Sequence, residues 1–445
     1  MCVLANGKID EFGIGNCSDF SKAEYIIVLS YCFVSTDTSQ PPHRPKMSET
    51  DTAADVCIVG GAGHIGLPLA LLLADCGLRV QIQDLNQTSI EQIQSGQLPF
   101  QEEGVQPLLD RALEDHMLSF TTKCEGIAGV PVIVVTIGTP VDEFLKPDTQ
   151  VIKDWADDAI PHLTDDQLIV LRSTVSPGTT NWLARYLASH NRHPKLAFCP
   201  ERIAQGFAVK ELRELPQLIS GNSEEAEQQA ADLFDRISPE VVRLDPMEAE
   251  FAKLFTNSYR YVVFAAVNQF YMLASQQGLD TNRILSACRY KYPRMSAMPD
   301  PGFTAGPCLL KDTMQLSAFS NNHFLLGHDA MLVNEGMPAF LCETAKRDMD
   351  LSTVTAGILG MAFKAESDDI RDSLSYRLRK LLQLECREVL CSDPYVADSR
   401  LVEQSVVIQQ SDIIFIATPH KCYRELMIPN SIRVIDIWNC LKRSS

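Results

Sequence analysis

Residues 55–84 constrain the fold more strongly than any other stretch of the chain. The run DVCIVG is typical of a short buried strand, LPLALLLADCG of a buried helix, and RVQIQD of a second strand that ends in Asp84. Gly61, Gly63 and Gly66 lie between the first strand and the helix, in the spacing G-x-G-x-x-G. This strand–turn–helix–strand order predicts a parallel, doubly wound sheet.

The same residues predict a dinucleotide site. Gly61 permits a tight turn, Gly63 lets a pyrophosphate approach the backbone, and Gly66 lets the helix pack closely on the strand. The helix N-terminus offers unpaired N–H groups to the phosphates, and Asp84 can accept hydrogen bonds from ribose hydroxyls. No arginine follows Asp84 directly, which favours NAD over NADP. The predicted cofactor contacts in the loop include His64 and Ile65.

Further strands follow with helical patterns between several of them, at residues 130–140, 167–175, 195–202 and 241–245. In an open parallel sheet, ligands bind beyond the carboxyl ends of the strands. Four residues of the chain occupy such ends: Thr139, Pro140, Thr174 and Glu201. A single threonine at a strand end more commonly reflects turn chemistry, but the neighbouring glycine motif favours a ligand site here.

Residues 247–278 predict one long helix, since they contain no proline and no glycine before Gly278. Phe255 and Phe270 belong to its expected apolar face. Lys253, Asn257 and Arg260 share one stripe, because they are four and three residues apart. A solvated polar face is the ordinary explanation. The alternative is a stripe that lines a cleft, in which Lys253 and Asn257 stabilise an oxyanion.

The stretch FTAGPCLLKD, residues 303–312, contains one cysteine, Cys308, with Lys311 and Asp312 close behind it. Such a cysteine is either a buried thiol beside a loop or a nucleophile with charged groups nearby. The stretch alone leaves both readings open.

The last third predicts a second α/β unit, with strands in residues 355–364, 388–395, 411–420 and 433–440. It contains no full G-x-G-x-x-G motif, so a mononucleotide is a better expected ligand than a second NAD. Lys364 and Arg371 are candidate phosphate or base contacts, although each alone is more commonly a surface ion pair.

Composition excludes several classes of function. The formal net charge of -18 argues against nucleic acid and anionic membrane surfaces as partners. The 14 cysteines include no C-x-x-C pair and the histidines no H-E-x-x-H, so we expect reduced cytoplasmic thiols and no metal. Residues 1–54 are expected to be a poorly ordered extension or linker, and the apolar run 25–34 is too short for a membrane span of about 20 residues.

Taken together, the motifs resemble those of the UDP-glucose/GDP-mannose dehydrogenase family over about residues 55–440. The motifs that carry the resemblance are the glycine fingerprint, GTP (138–140), STVSPGT (173–179), CPER (199–202), AKLFTNSYR (252–260), GPCLLKD (306–312), AFKAESDDIRDS (362–373) and ATPH (417–420). The resemblance implies an α/β fold with two Rossmann-like doubly wound domains, joined by a long central helix and a helical middle domain. The expected boundaries are 55–245, 246–345 and 346–445.

The resemblance also implies a mechanism and the residues that perform it. The family oxidises the C6 alcohol of a nucleotide-sugar to a carboxylate with two NAD, and Cys308 would be the nucleophile that forms a thiohemiacetal and then a thioester. Lys253 and Asn257 would stabilise oxyanions, Asp312 would act with a water as acid and base, and Glu201 would assist hydrolysis. Lys311 and Arg371 would join the cofactor contacts. Substrate contacts would be Arg202, Arg260, Tyr292, Arg294, Phe303, Gly306, Phe363 and Lys364. The long helix would form the core of a homodimer or larger assembly.

Subfamily features favour a UDP-sugar with an N-acetyl group. CPER, NSYR and YPR look more like the branch that acts on UDP-N-acetylhexosamines, such as UDP-N-acetylmannosamine, than like UDP-glucose enzymes. UDP-glucose stays an alternative. Two other classes remain open: a two-electron hydroxyacid dehydrogenase, which needs neither Cys308 nor a second nucleotide-like domain, and a catalytically silent regulator that binds nucleotide-sugars.

Overall fold

The computed structural model describes residues 53–139, 150–304, 306 and 308–441. Pro140 and nearly all of the expected extension 1–54 lie outside these residues. Within the described residues, no helix is both long and apolar enough to cross a membrane.

An eight-stranded sheet forms the N-terminal part, with strand order β3-β2-β1-β4-β5-β6-β7-β8. All pairs are parallel except β6 with β7. Its strands are β1 (Val56–Val59), β2 (Val80–Gln83), β3 (Leu118–Thr121), β4 (Val132–Val135), β5 (Leu168–Leu171), β6 (Lys195–Phe198), β7 (Gln217–Gly221) and β8 (Val241–Arg243). Its helices are α1 (Gly66–Asp75), α2 (Gln87–Gln94), α3 (Gln106–Glu114), α4 (Gln150–Ala159), α5 (Thr179–Ser189), α6 (Ala208–Glu214) and α7 (Glu224–Phe234).

Both faces of this sheet are buried, and the alternation of side chains along each strand shows why. Val56 and Ile58 of β1 pack into one hydrophobic cluster with α1, α3 and α7. Cys57 and Val59 point to the other face and pack with residues of α4 and α5. Successive strand residues face opposite sides, so a strand covered by helices on both sides is apolar throughout.

The middle part is helical: α8 (Pro246–Gln276), α9 (Thr281–Arg289), α10 (Leu309–Phe319) and α11 (Leu325–Lys346). α8 begins at a capping box, in which the Asp245 side chain accepts a backbone N–H of the first turn and Glu248 accepts the N–H of Asp245 at 3.0 Å. Pro246 fills the first helical position, where no N–H is needed. The predicted long helix is therefore present as a single unit of 31 residues.

The orientation of α8 separates its two expected faces. Lys253 and Asn257 are buried, so their stripe is no solvated surface, whereas Arg260 is exposed. Phe255 and Phe270, which belong to the expected apolar face, are 55% and 47% exposed in the single chain. These two side chains are therefore not covered within one subunit.

A four-stranded parallel sheet of order β10-β9-β11-β12 forms the C-terminal part. It consists of β9 (Thr355–Leu359), β10 (Glu388–Ser392), β11 (Ile413–Ile416) and β12 (Arg433–Asp436), with α12 (Leu374–Glu385) and α13 (Gln404–Gln410). The predicted fold class, two Rossmann-like sheets joined by a helical middle, is confirmed.

The glycine turn allows a test of the packing. A Cβ on Gly66 would lie 2.5 Å from the Gly60 carbonyl oxygen and 2.7 Å from the Gly61 Cα, both of which are backbone atoms. We expect Gly66→Ala to lower the free energy of unfolding by about 1–3 kcal/mol, measured from the urea midpoint. Gly63→Ala is the matched control, because the nearest atom to its Cβ would be 3.5 Å away. Equal midpoints for the two variants would contradict this account of the turn.

Candidate active site

The turn between β1 and α1 forms a cradle without side chains. A Cβ on Gly61 would lie 2.7 Å from the Ile58 carbonyl oxygen, so only glycine fits there. A Cβ on Gly63 would meet only the Gly60 carbonyl oxygen, at 3.5 Å, so Gly63 is less crowded and leaves room for a phosphate group. At the end of β2, Asp84 accepts hydrogen bonds from the N–H groups of Ala62 at 3.0 Å and Asn86 at 2.9 Å. These residues fit a bound NAD, with Asp84 fixed beside the loop.

His64 and Ile65 lie at the end of this loop. Ile65 is the residue before the first turn of α1. The His64 ring lies 4.0 Å from the Phe100 ring, centroid to centroid, and its Nδ1 lies 3.2 Å from the Gln205 amide nitrogen. Burial and the nearby Arg371 guanidinium lower the pKa of His64. A neutral imidazole therefore faces the C-terminal part of the chain.

The carboxyl ends of β4 and β5 meet helix α10. The Thr139 hydroxyl donates to the Thr174 carbonyl oxygen at 2.5 Å. Lys311 of α10 donates to the Thr139 carbonyl oxygen at 3.1 Å, and Gln315 donates to the Ser176 hydroxyl at 3.2 Å. These contacts dock the helix that follows Cys308 onto the strand ends of the N-terminal sheet. Three predicted cofactor contacts, Thr139, Thr174 and Lys311, are thereby brought together.

A buried carboxylate lies one helical turn after the cysteine. Cys308 directly precedes α10, and its carbonyl oxygen accepts the N–H of Asp312 at 2.9 Å. Asp312 is fully buried; its Oδ2 accepts from the Asn257 amide at 2.5 Å, and its Oδ1 lies 3.2 Å from the Lys311 ammonium. Lys253 is also buried and makes no hydrogen bond to any described residue. Among the described residues, no hydrogen-bond partner competes with a ligand for the Lys253 ammonium.

Opposing charges act on the Cys308 thiol. Loss of hydration in its cleft raises the pKa of Cys308, and the Asp312 carboxylate raises it further. Lys253, Lys311 and Arg371 each act in the opposite direction. The residue is nevertheless accessible to solvent. Cys308 is therefore a protonated, reachable thiol at rest, surrounded by three cations that can stabilise negative charge when a reaction creates it.

The loop that bears Cys308 packs against the C-terminal part. Gly306 has a φ of +100°, which favours glycine, and a Cβ there would lie 2.6 Å from the Phe363 ring. Phe303 is buried in the hydrophobic core of the C-terminal sheet. Gly306 and Phe363, both predicted substrate contacts, are thus in close contact, while Phe303 supports the loop from within a core.

Lys364 is half-buried and lies within electrostatic reach of Arg260. Burial lowers the pKa of Lys364, and the charge of Arg260 lowers it too, while Glu102 and other carboxylates oppose them. The Lys364 ammonium donates to the Gln205 carbonyl oxygen and lies 5.9 Å from the centre of the Phe363 ring. Asp393 supports this turn, because its Oδ2 accepts the N–H of Met361 at 2.5 Å and lies 3.1 Å from the His420 ring nitrogen.

Among the described residues, the hydrogen bonds of the remaining predicted residues do not involve Cys308. Tyr292 and Arg294 are exposed; the Arg294 guanidinium donates to the Tyr292 hydroxyl at 3.5 Å and lies over its ring. Arg202 is half-buried and donates to the Pro216 carbonyl oxygen. Glu201 is buried inside the N-terminal part, where one oxygen pairs with Arg172 and the other accepts two backbone N–H groups. None of these contacts joins Glu201 to the cysteine.

No group of three or more His, Cys, Asp and Glu side chains among the described residues is placed to hold a metal ion.

Comparison with known proteins gives three matches to one family, which cover most of the chain. Residues 54–238 match the NAD binding domain of the UDP-glucose/GDP-mannose dehydrogenase family, residues 247–335 its central domain and residues 357–443 its UDP binding domain. The chain belongs to this family. It is therefore an NAD-dependent oxidoreductase, and NAD is its cofactor.

Relatives of this dehydrogenase align over nearly its full described length. It is 28% identical to a UDP-N-acetyl-D-mannosamine dehydrogenase from Methanocaldococcus jannaschii, over 85% of this chain and 88% of the relative. The structure of UDP-D-ManNAc dehydrogenase from Pyrococcus horikoshii superposes with a TM-score of 0.80 at 29% identity, covering 87% of this chain and 96% of that one. A UDP-glucose dehydrogenase structure from Pyrobaculum islandicum gives a TM-score of 0.80 at 25% identity, covering 88% and 96%.

The dehydrogenase also contains site residues that the sequence reasoning missed. Glu250 of α8 accepts the N–H groups of Gly178 at 2.5 Å and Thr180 at 2.8 Å, one turn before Lys253. It therefore ties α8 to the loop that carries Thr174. A signal was present: Glu250 lies three residues before Lys253 on the stripe that was singled out. Arg172 pairs with Glu201. Its only signal in the sequence is that it is a charged residue within the apolar run of a buried strand, residues 167–175.

The charges around Cys308 predict the pH dependence of its reactivity. We expect the alkylation rate of Cys308 by iodoacetamide to rise with pH, with a midpoint above the ordinary thiol pKa of about 8.5. Removing a negative neighbour favours the thiolate, so Asp312→Asn should lower this midpoint; Lys253→Met should raise it. The rate is measured by mass spectrometry of the peptide that contains Cys308, with Cys308→Ser as the blank. Shifts of the opposite sign in both variants would refute the assignment.

Proposed function

We propose that this dehydrogenase oxidises the C6 alcohol of a UDP-sugar to the carboxylate in two successive steps, with Cys308 as the covalent nucleophile. The observation that carries the proposal is the position of Cys308. It precedes a helix docked on the strand ends of the NAD domain, beside Asp312, Asn257 and Lys253. A two-electron hydroxyacid dehydrogenase would need no such thiol, and a silent binder would need no buried Lys253 free to act on a ligand.

Two NAD molecules, bound in succession, would each accept one hydride. The residues that would hold NAD are the glycine loop, Asp84, Thr139, Thr174, Lys311 and Arg371. The first oxidation requires loss of the proton of the C6 hydroxyl, for which Asp312 and a water are the acceptors. The Cys308 thiol then adds to the aldehyde carbon, and its proton leaves to the same carboxylate and water. The resulting thiohemiacetal carries an alkoxide that Lys253 and Asn257 stabilise.

Loss of the second hydride converts the thiohemiacetal to a thioester on Cys308. Attack by water forms a tetrahedral oxyanion, which Lys253 again stabilises, and its collapse releases the carboxylate product and the Cys308 thiolate. The Asn257–Asp312 hydrogen bond orients the carboxylate towards this centre. The hydrolytic role expected of Glu201 stays a prediction. Both oxygens of Glu201 are engaged by Arg172 and two backbone N–H groups, which supports a positioning role instead.

The substrate proposed first is UDP-N-acetylmannosamine or another UDP-N-acetylhexosamine. Its support is the CPER, NSYR and YPR motifs together with the two relatives named as UDP-N-acetylmannosamine dehydrogenases. A contact of Arg202 with the sugar is not part of this support, since its guanidinium donates to Pro216. UDP-glucose is the alternative, because the UDP-glucose dehydrogenase structure superposes with the same TM-score of 0.80.

The yield of NADH tests the reaction and the substrate together. With excess NAD and a limiting amount of UDP-ManNAc, we expect two NADH per sugar, measured by absorbance, and less from UDP-GlcNAc, UDP-GalNAc, UDP-glucose and GDP-mannose. Cys308→Ser should lose this yield, because a serine hydroxyl is a poorer nucleophile towards the aldehyde. Cys288→Ser, which changes an exposed cysteine of α9, is the matched control. One NADH per sugar in the unmodified protein would exclude the thioester.

We further propose that the dehydrogenase works as a homodimer or larger assembly in the cytoplasm. Exposed apolar side chains of α8 and α11 surround a groove of about 520 Å³ lined by Phe255, Ser258, Tyr259, Val262, Leu316, Ser320, His323, Phe324 and Leu326. Large exposed apolar patches mark protein interfaces. Arg294 has no ligand-site partner within its own described chain, which fits a role in a neighbouring subunit's site.

The proposed cytoplasmic location is supported by the cysteines. The described cysteines are all free thiols, as a reducing compartment favours.

A charge placed in the groove should separate the subunits. Leu326 is 62% exposed in the single chain, so Leu326→Asp costs the subunit little, but in an interface it would bury an unpaired carboxylate. We expect a lower mass by light scattering after size exclusion. Leu384→Asp is the control, since Leu384 is 84% exposed on α12, outside the groove. A monomeric unmodified protein, or an unchanged mass for Leu326→Asp, would contradict the proposed interface.

A further inference from the structure

Gln205, in the loop that follows β6, bridges the N-terminal and C-terminal parts of the chain. Its carbonyl oxygen accepts a hydrogen bond from the Lys364 ammonium. Its side-chain amide donates to Asp369 Oδ2 at 3.3 Å and lies 3.2 Å from Nδ1 of His64. Gln205 therefore contacts the glycine loop of the NAD domain and two residues of the C-terminal part at once.

Carboxylates of the N-terminal part hold this loop rigidly. Glu102 accepts the N–H groups of Gly206 and Ala208, each at 2.7 Å. On the other side of Gln205, Glu211 accepts the N–H of Ala204 at 2.5 Å. Gly206 has a φ of +87°, a conformation that other residues rarely adopt. Because the backbone on both sides is fixed, the Gln205 carbonyl and amide are aimed at the C-terminal part.

The residues that Gln205 touches there orient ligand contacts. Asp369 pairs with Arg371, whose Nη2 lies 2.6 Å from Oδ2, the same oxygen that accepts from Gln205. The backbone carbonyl of Asp369 also accepts the N–H of Phe363 at 2.9 Å. Displacing Gln205 would thus release Lys364 and loosen the pair that holds Arg371.

We propose that Gln205 is a positioning residue that couples the binding of NAD to the binding of the UDP moiety. The inference rests on the proposed function only in taking Arg371 and His64 as neighbours of NAD, and Lys364 as a contact of UDP. The contacts of Gln205 with Lys364 and Asp369 join the N-terminal and C-terminal parts. They thereby fix the positions of both Lys364 and Arg371 relative to the NAD domain. Each ligand that favours this arrangement then lowers the cost of binding the other, and the effect is reciprocal.

The chemical identity of residue 205 is part of the proposal. An amide can donate to Asp369 and also face a neutral His64. A glutamate would place a second negative charge beside Asp369, where like charges repel. Gln205→Glu keeps the size of the side chain and the backbone carbonyl that Lys364 uses, so its effect would isolate the amide–carboxylate contact. Gln205→Ala removes the contact without adding charge.

Calorimetric titration tests the coupling without turnover. The dissociation constant of NAD is measured alone and with saturating UDP, and that of UDP alone and with saturating NAD. We expect each ligand to tighten the other by about fivefold or more in the unmodified protein. In Gln205→Ala and Gln205→Glu we expect this factor to fall close to one, while each constant measured alone changes by no more than about twofold. Gln229→Ala, at a partly exposed position of α7, is the control and should keep the coupling.

The outcomes separate this inference from the proposed function. If the unmodified protein binds NAD but not UDP, the function itself is wrong, and the role of Gln205 falls with it. If it binds both ligands independently, or if both variants keep the full coupling, the role of Gln205 alone is overturned. A loss of coupling in both variants, with melting temperatures equal to that of the control, supports positioning over a general loss of structure.

Discussion

The fully buried carboxylate of Asp312 is the constraint on which the rest of the site depends. A charge without water must be paired or hydrogen-bonded, and losing one partner of a buried pair costs about 3–5 kcal/mol. Asn257 of α8 and Lys311 of α10 provide these partners. Lys311 also donates to Thr139, at the end of β4. One carboxylate thereby requires the central helices and the N-terminal sheet to meet at a single point, one turn from Cys308.

The long helix α8 contributes several of the residues on which the site depends. Glu250 ties it to the loop after β5, Lys253 faces the cleft, and Asn257 holds Asp312. These three residues lie on one stripe, so a rotation of the helix would displace all of them together. The opposite stripe, with Phe255 and Tyr259, is exposed in the single chain. The covered side of the helix thus combines polar side chains with apolar ones, unlike the uniformly apolar buried face of an ordinary amphipathic helix.

Patterns that act locally were predictable from the sequence. The β1–α1–β2 unit, the single long helix and the second parallel sheet follow from periodicity and turn residues, and they are confirmed. The roles of individual site residues stay predictions, although the structure brings Cys308, Asp312, Asn257 and Lys311 together. Contacts between segments that are distant in the chain could not be predicted from the sequence. The residues around Glu201 in the sequence do not show that its carboxylate pairs with Arg172. Likewise, the residues around Gln205 do not show that its side-chain amide contacts Asp369 and His64. The exposure of Phe255 and Phe270 was missed for the same reason, since periodicity does not say what covers an apolar face.

The contact between Gly306 and Phe363 has a consequence for the order in which the enzyme becomes active during its own synthesis. The N-terminal sheet can form while the ribosome is still translating the middle of the chain, because domains fold as units from the N-terminus. The loop before Cys308, however, packs against a ring that is made more than fifty residues later. A nascent chain therefore carries a complete NAD domain well before the loop of Cys308 has the ring against which it packs, and this cysteine reaches its folded surroundings only after residue 363 has been synthesised.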